Sequence, residues 1–195
     1  WNVSLYPKRA STLFTYKKNL SLHWLIWKYH IMKKVLITGS SSGIGKATAE
    51  LFLKNDVPVV GIARQHKKFI HKSKLYEPIE ADLSLIESLP KLITTILKEH
   101  PDIDIFISNA GYGDFQSIEN FSANQIQNFL NLNLISHITL CRFIVSHMKY
   151  EKNGTIFFIG SESGLVGKKK GTLYSAAKFG LRGFCQALSD EVATS

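Results

Sequence analysis

Tyr174 and Lys178 are the residues whose types and spacing most directly suggest chemistry. They stand four positions apart in the run Tyr-Ser-Ala-Ala-Lys, so on a helix they lie on one face, one turn apart. A phenol with its ordinary pKa of about 10 exchanges protons poorly at neutral pH, and a neighbouring cation lowers that pKa. The pair could therefore protonate an alkoxide as it forms. An isolated Tyr-x₃-Lys pair is usually structural, so this interpretation depends on the elements around it.

A glycine-rich turn follows an apolar segment near residue 35. Its sequence is Thr-Gly-Ser-Ser-Ser-Gly-Ile-Gly, which begins at residue 38. Glycines let the backbone turn from strand into helix and approach a pyrophosphate without an intervening Cβ. The N–H groups and the positive dipole end of the following helix then face the phosphates. The predicted phosphate-binding residues are Gly39, Ser41, Ser42, Gly43, Ile44 and Gly45.

Strand and helix signals alternate along the chain. This alternation predicts βαβ units and a parallel sheet, and therefore an α/β fold. The predicted strands are 35–38, 57–63, 79–81, 103–108 and 155–159. The predicted helices are 44–55, 86–99, one or two within 121–149, and 179–192.

These features together resemble the short-chain dehydrogenase/reductase family. The glycine spacing is Gly-x₃-Gly-x-Gly, as in that family, and differs from the commoner Gly-x-Gly-x-x-Gly dinucleotide fingerprint. An Asn-Ala-Gly run after the fourth strand matches a second family signature. The resemblance spans Met32 to about Ser195. It implies a Rossmann-type doubly wound parallel sheet, a three-layer α/β/α arrangement with strand order 3-2-1-4-5 and the last strands missing.

The resemblance also implies an activity and a catalytic set. A member of this family would interconvert a carbonyl and an alcohol by hydride transfer with a nicotinamide cofactor. Tyr174 would be the acid/base, and Lys178 would lower its pKa and bind the nicotinamide ribose. Ser161 would hold the substrate oxygen; Ser163 is close in sequence, but the spacing to the tyrosine favours Ser161.

Asn133 matches the fourth member of the family's catalytic tetrad. By resemblance it would hold a water molecule that links the lysine to solvent. Asn131 is close enough to be confused with it, and the Leu134 and Ser136 that follow favour Asn133.

Two further segments would contact the cofactor by resemblance. Asp82 and Leu83 correspond to the family's adenine-binding pair, although an aspartate there could instead cap the next helix through Ser84. The second segment is the Asn-Ala-Gly run, whose small residues would let the strand end pass close to the cofactor. Its members are Asn109, Ala110 and Gly111.

Arg64 indicates which dinucleotide binds. It ends the second strand, where an acid would bind a free ribose 2′-hydroxyl and an arginine would accommodate a 2′-phosphate. This favours NADP(H) over NAD(H). Ser42 stands where many NADP-preferring relatives carry a basic residue, which weighs against the preference. The alternative is a solvated loop cation beside Lys67 and Lys68.

The two ends of the chain differ from what the resemblance requires. Residues 1–31 hold all three tryptophans and no acid. They are interpreted as a leader outside the domain, either upstream translated sequence or a targeting segment. The domain is 32–195. Because it stops soon after the helix at 179–192, we expect a fragment that lacks its C-terminal strands and substrate lid, with an exposed sheet edge prone to aggregation.

The composition of the chain limits the kinds of partner that it could bind. Five of the nine net positive charges fall in residues 1–31, so the rest gives no case for a nucleic-acid surface. We expect no run of the sequence to be apolar enough to span a bilayer. Only two cysteines are present, Cys141 and Cys185, and neither they nor the histidines show a metal-binding spacing. We expect a cytoplasmic protein with buried thiols, a small-molecule substrate and a homo-oligomeric state when full length.

Two competing functions remain open. The chain could be a nucleotide-binding module without turnover, because the segments that would close on substrate are missing. A basic leader that binds membrane or nucleic acid would depend on residues 1–31 alone. Within the first interpretation, Lys168–Lys170 are either a solvated charge run or a contact for an anionic substrate.

Overall fold

The computed structural model describes residues 2–4, 34–66 and 73–193. In these residues a six-stranded sheet has the order β1-β6-β5-β2-β3-β4. The strands are β1 Asn2–Ser4, β2 Lys34–Thr38, β3 Val59–Ala63, β4 Tyr76–Glu80, β5 Ile103–Ser108 and β6 Thr155–Phe158. The α-helices are α1 Gly43–Lys54, α2 Leu89–Glu99, α3 Ala123–Leu130, α4 Ser136–Glu151 and α5 Thr172–Val192. Short 3₁₀ turns lie at Ile86–Ser88, Ile118–Asn120 and Glu162–Gly164.

Strands β2 to β6 form the parallel part of the sheet. Their spatial order, β4-β3-β2-β5-β6, is the predicted 3-2-1-4-5 arrangement. The direction of winding reverses between β2 and β5, so the carboxyl ends of these two strands flank a crevice. The predicted doubly wound α/β fold is confirmed.

The central strands are apolar on both faces because helices cover both. Leu36, Val60 and Phe106 pack on the face covered by α2, α4 and α5. Val35 and Ile105 point to the opposite face, where α1 packs. Alternation along each strand thus divides the core into two layers.

The structure moves the start of two predicted elements. β4 begins at Tyr76, three residues before the predicted start; it is an edge strand, and its polar residues hide its pattern in the sequence. α5 begins at Thr172 instead of at 179, so it contains the Tyr-Ser-Ala-Ala-Lys run, as expected for a pair on one helix face. The one or two helices predicted within 121–149 are two α-helices joined by a π-helical turn, Asn131–Ile135.

The segment Ala123–Glu151 is long and apolar enough to cross a membrane by length and composition, because an 18-residue window within it has a mean hydropathy of 1.3. This contradicts the expectation that no such run exists. Half of its most apolar window is buried inside the protein, where Leu140 and Ile144 belong to the core. Its hydropathy therefore matches the role of a core helix in this fold.

Strand β1 pairs antiparallel with β6 over three positions, from Asn2 opposite Phe157 to Ser4 opposite Thr155. The expectation of an exposed edge is therefore wrong along this part of β6. The strand belongs to the segment that was predicted to be a leader outside the domain. The boundary at residue 32 stays a prediction.

Candidate active site

A cleft of about 830 Å³ opens at the carboxyl ends of β2, β3, β5 and β6. The polypeptide turns there from each strand toward a helix, so backbone groups and short side chains converge at one edge of the sheet. Twelve of the sequence-predicted residues line this cleft. They are Gly39, Ser41, Ser42, Gly43, Ile44, Arg64, Leu83, Asn109, Ala110, Gly111, Tyr174 and Lys178.

Four predicted residues lie behind or beside the cleft lining: Gly45, Asp82, Asn133 and Ser161. Gly45 has a packing role. A Cβ there would collide with the carbonyl oxygen of Gly39 and approach the Asn109 amide nitrogen to 2.5 Å. Glycine is therefore required for α1 to pack against the turn.

The glycine-rich turn has the geometry of an anion cradle. Gly39 and Gly43 have φ angles of +68° and +52°, which residues with a side chain rarely adopt. Ser42 precedes α1 in an extended conformation, and its side chain makes no capping hydrogen bond. The first turn of α1 contains no acidic residue. The N–H groups of this helix end thus suit the phosphates of a dinucleotide.

Thr38 and Asn109 fasten β2 to β5 beneath the turn. The backbone N–H groups of Asn109 and Ala110 donate to the Thr38 hydroxyl oxygen at 2.9 and 3.0 Å. The Asn109 amide donates to the carbonyl oxygens of Thr38 and Gly39 at 2.9 and 3.3 Å. Sequence analysis singled out Asn109 for its place beside the cofactor but did not identify the fully buried Thr38 as its partner in this contact.

Tyr174 and Lys178 lie one turn apart on α5. The Lys178 ammonium nitrogen is 5.8 Å from the centre of the Tyr174 ring and donates a hydrogen bond to the carbonyl oxygen of Ile159 at 3.0 Å. Only 4% of Lys178 is exposed, and burial lowers the pKa of its ammonium group. Aromatic contacts with Phe115 and Phe129, at centroid distances of 5.6 and 6.3 Å, fix the tyrosine ring.

Ser161 follows β6 and begins the 3₁₀ turn Glu162–Gly164. Its hydroxyl oxygen accepts a hydrogen bond from the backbone N–H of Ser163 at 3.2 Å. The two residues that precede it, Ile159 and Gly160, line the cleft. Ser163, the alternative, is buried, whereas Ser161 is half-buried.

Asn133 lies in the π-helical turn and is fully buried. Its amide nitrogen donates to the Phe129 carbonyl oxygen at 3.0 Å, and its side-chain oxygen accepts from the backbone N–H of Tyr112 at 3.1 Å. It therefore holds the backbone just after the Asn-Ala-Gly run. Asn131 instead donates to the Ser84 carbonyl oxygen at 3.2 Å. Of the two, Asn133 is the one that contacts a segment of the cleft wall.

Arg64 and Asp82 flank the end of the cleft beside β3. Arg64 is exposed. The Asp82 carboxylate accepts two hydrogen bonds from Ser84, from its N–H at 2.9 Å and its hydroxyl at 2.7 Å. Burial opposes ionisation of Asp82, but these bonds and the Arg64 charge outweigh it and hold the pKa below its usual value. These bonds close a local turn and do not cap a helix, because the helices that follow begin after Leu85 and Ser88 and have no side-chain capping bond.

Several cleft residues were missed by sequence reasoning. Each is within two residues of a predicted site residue, and all but Leu132, which lies in the π-helical turn, are at or shortly after strand ends, where the strand-end rule could have found them. They are Ile62, Ala63, Gln65, Ala81, Tyr112, Leu132, Ile159 and Gly160.

His137 is a buried histidine on α4. Sequence analysis assigned it no role. Its Nδ1 lies 2.6 Å from the Ser108 hydroxyl oxygen, at the end of β5. Burial, and then the charge of Lys178, lower the pKa of His137 to about 3 against the opposing effect of the Ala110 backbone. The imidazole is therefore neutral at physiological pH.

Comparison with known proteins identifies the family. The model of the short chain dehydrogenase family matches residues 33–195. The chain belongs to this family. This chain is 30% identical over 158 residues to the 3-ketodihydrosphingosine reductase of Bacteroides thetaiotaomicron. That match covers 81% of the chain and 58% of the relative, so the chain spans less than two thirds of its relative's length.

Solved structures of similar proteins share the fold. One is 4-hydroxyisoleucine dehydrogenase complexed with NADH, at 26% identity and a TM-score of 0.75. It is matched over 82% of this chain and 69% of its own. Another is ElxO with NADP bound, at 27% identity and a TM-score of 0.75, matched over 83% of this chain and 68% of its own. Similar structures therefore include both an NADH and an NADP complex.

Proposed function

We propose that this short-chain dehydrogenase is an NADP(H)-preferring oxidoreductase that interconverts a carbonyl and an alcohol. One observation carries the proposal. The tyrosine and lysine of α5 line the same cleft as the glycine turn and Arg64. A phosphate cradle, a cation for the ribose end and a proton donor thus share one cavity that is large enough for a dinucleotide.

The bound nicotinamide would supply or accept the hydride. Tyr174 would donate its phenolic proton to the oxygen of a carbonyl under reduction, and would take a proton from an alcohol in the reverse direction. Lys178 places its positive charge 5.8 Å from the centre of the Tyr174 ring. Ser161, which follows β6 beside the cleft, would donate a hydrogen bond to the substrate oxygen.

Lys178 would pass the proton onward from Tyr174, with Asn133 as the anchor of this relay. The lysine is anchored to the Ile159 carbonyl oxygen, so its charge stays at the end of β6 in the cleft. Asn133 fixes the backbone at Tyr112, which also lines the cleft. Together they would hold the polar path by which Tyr174 exchanges its proton with solvent.

We base the proposed NADP(H) preference on the position of Arg64, which is exposed at the β3 end of the cleft. A 2′-phosphate would gain a charge-assisted hydrogen bond there, and no acidic residue occupies the end of β3. The test is a fluorescence titration of the chain with NADPH and NADH, repeated on Arg64→Ala. We expect tighter NADPH binding, and loss of that advantage in the variant. Equal affinities in the unsubstituted chain would contradict the preference.

A dinucleotide-binding protein without turnover is the second candidate. The chain spans 58% of the length of the reductase that it matches, so part of that relative has no counterpart in this match. Saturable NADPH binding without oxidation of NADPH by any member of a ketone panel would favour this candidate.

A further inference from the structure

Three hydrogen-bonded side chains connect the glycine turn to the segment that carries Arg64. The Ser40 hydroxyl lies 2.9 Å from the Tyr76 hydroxyl, which lies 3.2 Å from Nδ1 of His66. Nε2 of His66 lies 3.1 Å from the Ile79 carbonyl oxygen. Ser40 belongs to the turn, Tyr76 begins β4, and His66 follows Arg64 by two residues.

The hydrogen bonds that join Ser40, Tyr76 and His66 have one consistent donor-to-acceptor direction. The Ile79 carbonyl can only accept, so Nε2 of His66 carries a hydrogen and Nδ1 serves as the acceptor toward Tyr76. Tyr76 therefore donates to Nδ1, and its oxygen accepts from the Ser40 hydroxyl. Burial raises the pKa of Tyr76, against the effect of the Ser40 bond, so its hydroxyl keeps the donor hydrogen.

The sequence of β3 leaves space for these hydrogen-bonded side chains. Gly61 interrupts an otherwise bulky strand whose five residues are all buried. A Cβ at Gly61 would collide with the Tyr76 hydroxyl and approach the Ser40 hydroxyl oxygen to 2.5 Å. Glycine inside a strand commonly marks such a close approach. Ser40 is fully buried and His66 is 8% exposed, so the contact is part of the packed interior.

The segment after β3 has a second attachment to β4. The backbone N–H of His66 donates to the Glu80 carboxylate at 3.3 Å, and the N–H of Ala81 donates to the Ala63 carbonyl oxygen at 3.0 Å. Arg64 and Gln65, which lie between these attachments, are exposed and line the cleft. The position of the arginine relative to the phosphate turn thus depends on contacts that flank it.

We propose that Tyr76 and His66 are positioning residues for cofactor selectivity. They hold Arg64 at a fixed separation from the glycine turn, so that one ligand can engage the pyrophosphate site and the 2′-phosphate site together. NADH lacks the 2′-phosphate, so its affinity depends on the turn and not on this separation. The inference rests on the proposed NADP(H) preference.

The test measures the dissociation constants of NADPH and NADH, and their ratio, for a set of variants of the chain. Tyr76→Phe removes both hydrogen bonds of the hydroxyl and keeps the ring. It should weaken NADPH binding about five- to tenfold relative to NADH. His66→Gln keeps a donor near the Nε2 position but offers Tyr76 no acceptor, and should act like Tyr76→Phe. His66→Asn places an oxygen near the Nδ1 position and should retain most of the selectivity.

His100→Gln is the matched control. His100 is also 8% exposed and also bonded through both ring nitrogens, to Lys34 and Glu77. It follows α2 and precedes β5, at the end of the sheet opposite the cleft. Its substitution should lower the melting temperature without changing the NADPH-to-NADH ratio.

Two outcomes separate this inference from the proposed function. If Arg64→Ala abolishes the NADPH advantage but Tyr76→Phe and His66→Gln leave it within about twofold of the unsubstituted value, the positioning role is wrong and the cofactor preference stands. If Arg64→Ala leaves the ratio unchanged, Arg64 does not set the cofactor preference and the positioning role is overturned with it; equal affinities for NADPH and NADH in the unsubstituted chain would overturn the preference itself.

Discussion

Lys178 holds its ammonium nitrogen 5.8 Å from the centre of the Tyr174 ring, one helical turn away on α5. The helix alone brings the two side chains to one face. The hydrogen bond to the Ile159 carbonyl oxygen then fixes the lysine against the end of β6. The acid/base candidate and its neighbouring cation are therefore positioned by two separate elements, a helix and a strand end.

Gly45→Ala should destabilise the protein by about 1–3 kcal/mol, because its Cβ would collide with backbone that cannot move away. NADPH affinity should fall as well, since the glycine turn would shift. Gly183→Ala is the control. It lies inside α5 with nothing within 4 Å of an added Cβ, and should stabilise the protein by about 0.5–1 kcal/mol. Denaturant unfolding of both variants checks the pair; destabilisation by both would contradict the packing argument.

Asn133→Ala should cost about 1–3 kcal/mol of stability and lower kcat. It leaves the Tyr112 N–H and the Phe129 carbonyl oxygen without their side-chain partner in a buried site. Asn131→Ala should have a smaller effect on both quantities, because Asn131 is only half-buried and contacts the Ser84 loop. Thermal melting and steady-state rates distinguish the two. Equal loss of kcat in both variants would argue against a specific role for Asn133.

Because His137 is buried, we expect the free energy of unfolding to fall in acid. The unfolded chain takes up a proton on this imidazole near its ordinary pKa of 6.5, whereas the folded protein resists protonation down to about pH 3. The unfolded state binds more protons in that window, so the free energy of unfolding falls as the pH is lowered. The slope from this one group approaches about 1.4 kcal/mol per pH unit.

His137→Asn should remove that slope while keeping a polar group near the Ser108 hydroxyl. The variant loses stability at neutral pH because the smaller side chain leaves a cavity, but its stability should depend less on pH between 6.5 and 3. Urea unfolding at several pH values measures both effects. An unchanged slope would mean that other groups cause the acid sensitivity.

The sequence predicted most accurately those features that local pattern determines. β5 was predicted at its observed bounds because an apolar run lies between a turn and an Asn-Ala-Gly signature. The glycine turn and the Tyr-x₃-Lys pair are local in the same sense. Twelve predicted residues therefore met in one cleft once the parallel strands aligned their carboxyl ends.

Other features depend on contacts between distant segments and were missed. The Ser40–Tyr76 bond joins residues 36 positions apart, and the contact between Thr38 and Asn109 spans 71. β4 was found only in part because its edge position leaves Glu77 and Pro78 exposed. The π-helical turn that holds Asn133 likewise has no recognisable local pattern.

Tyr174→Phe tests the central claim most directly. The substitution removes the phenolic proton and keeps the ring that packs against Phe115 and Phe129. With NADPH and a panel of ketones, the unsubstituted chain should oxidise the cofactor. The variant should lose about 10²–10⁴-fold in kcat while binding NADPH with nearly unchanged affinity. A variant that turns over as fast as the unsubstituted chain would contradict the assignment of Tyr174 as the acid/base.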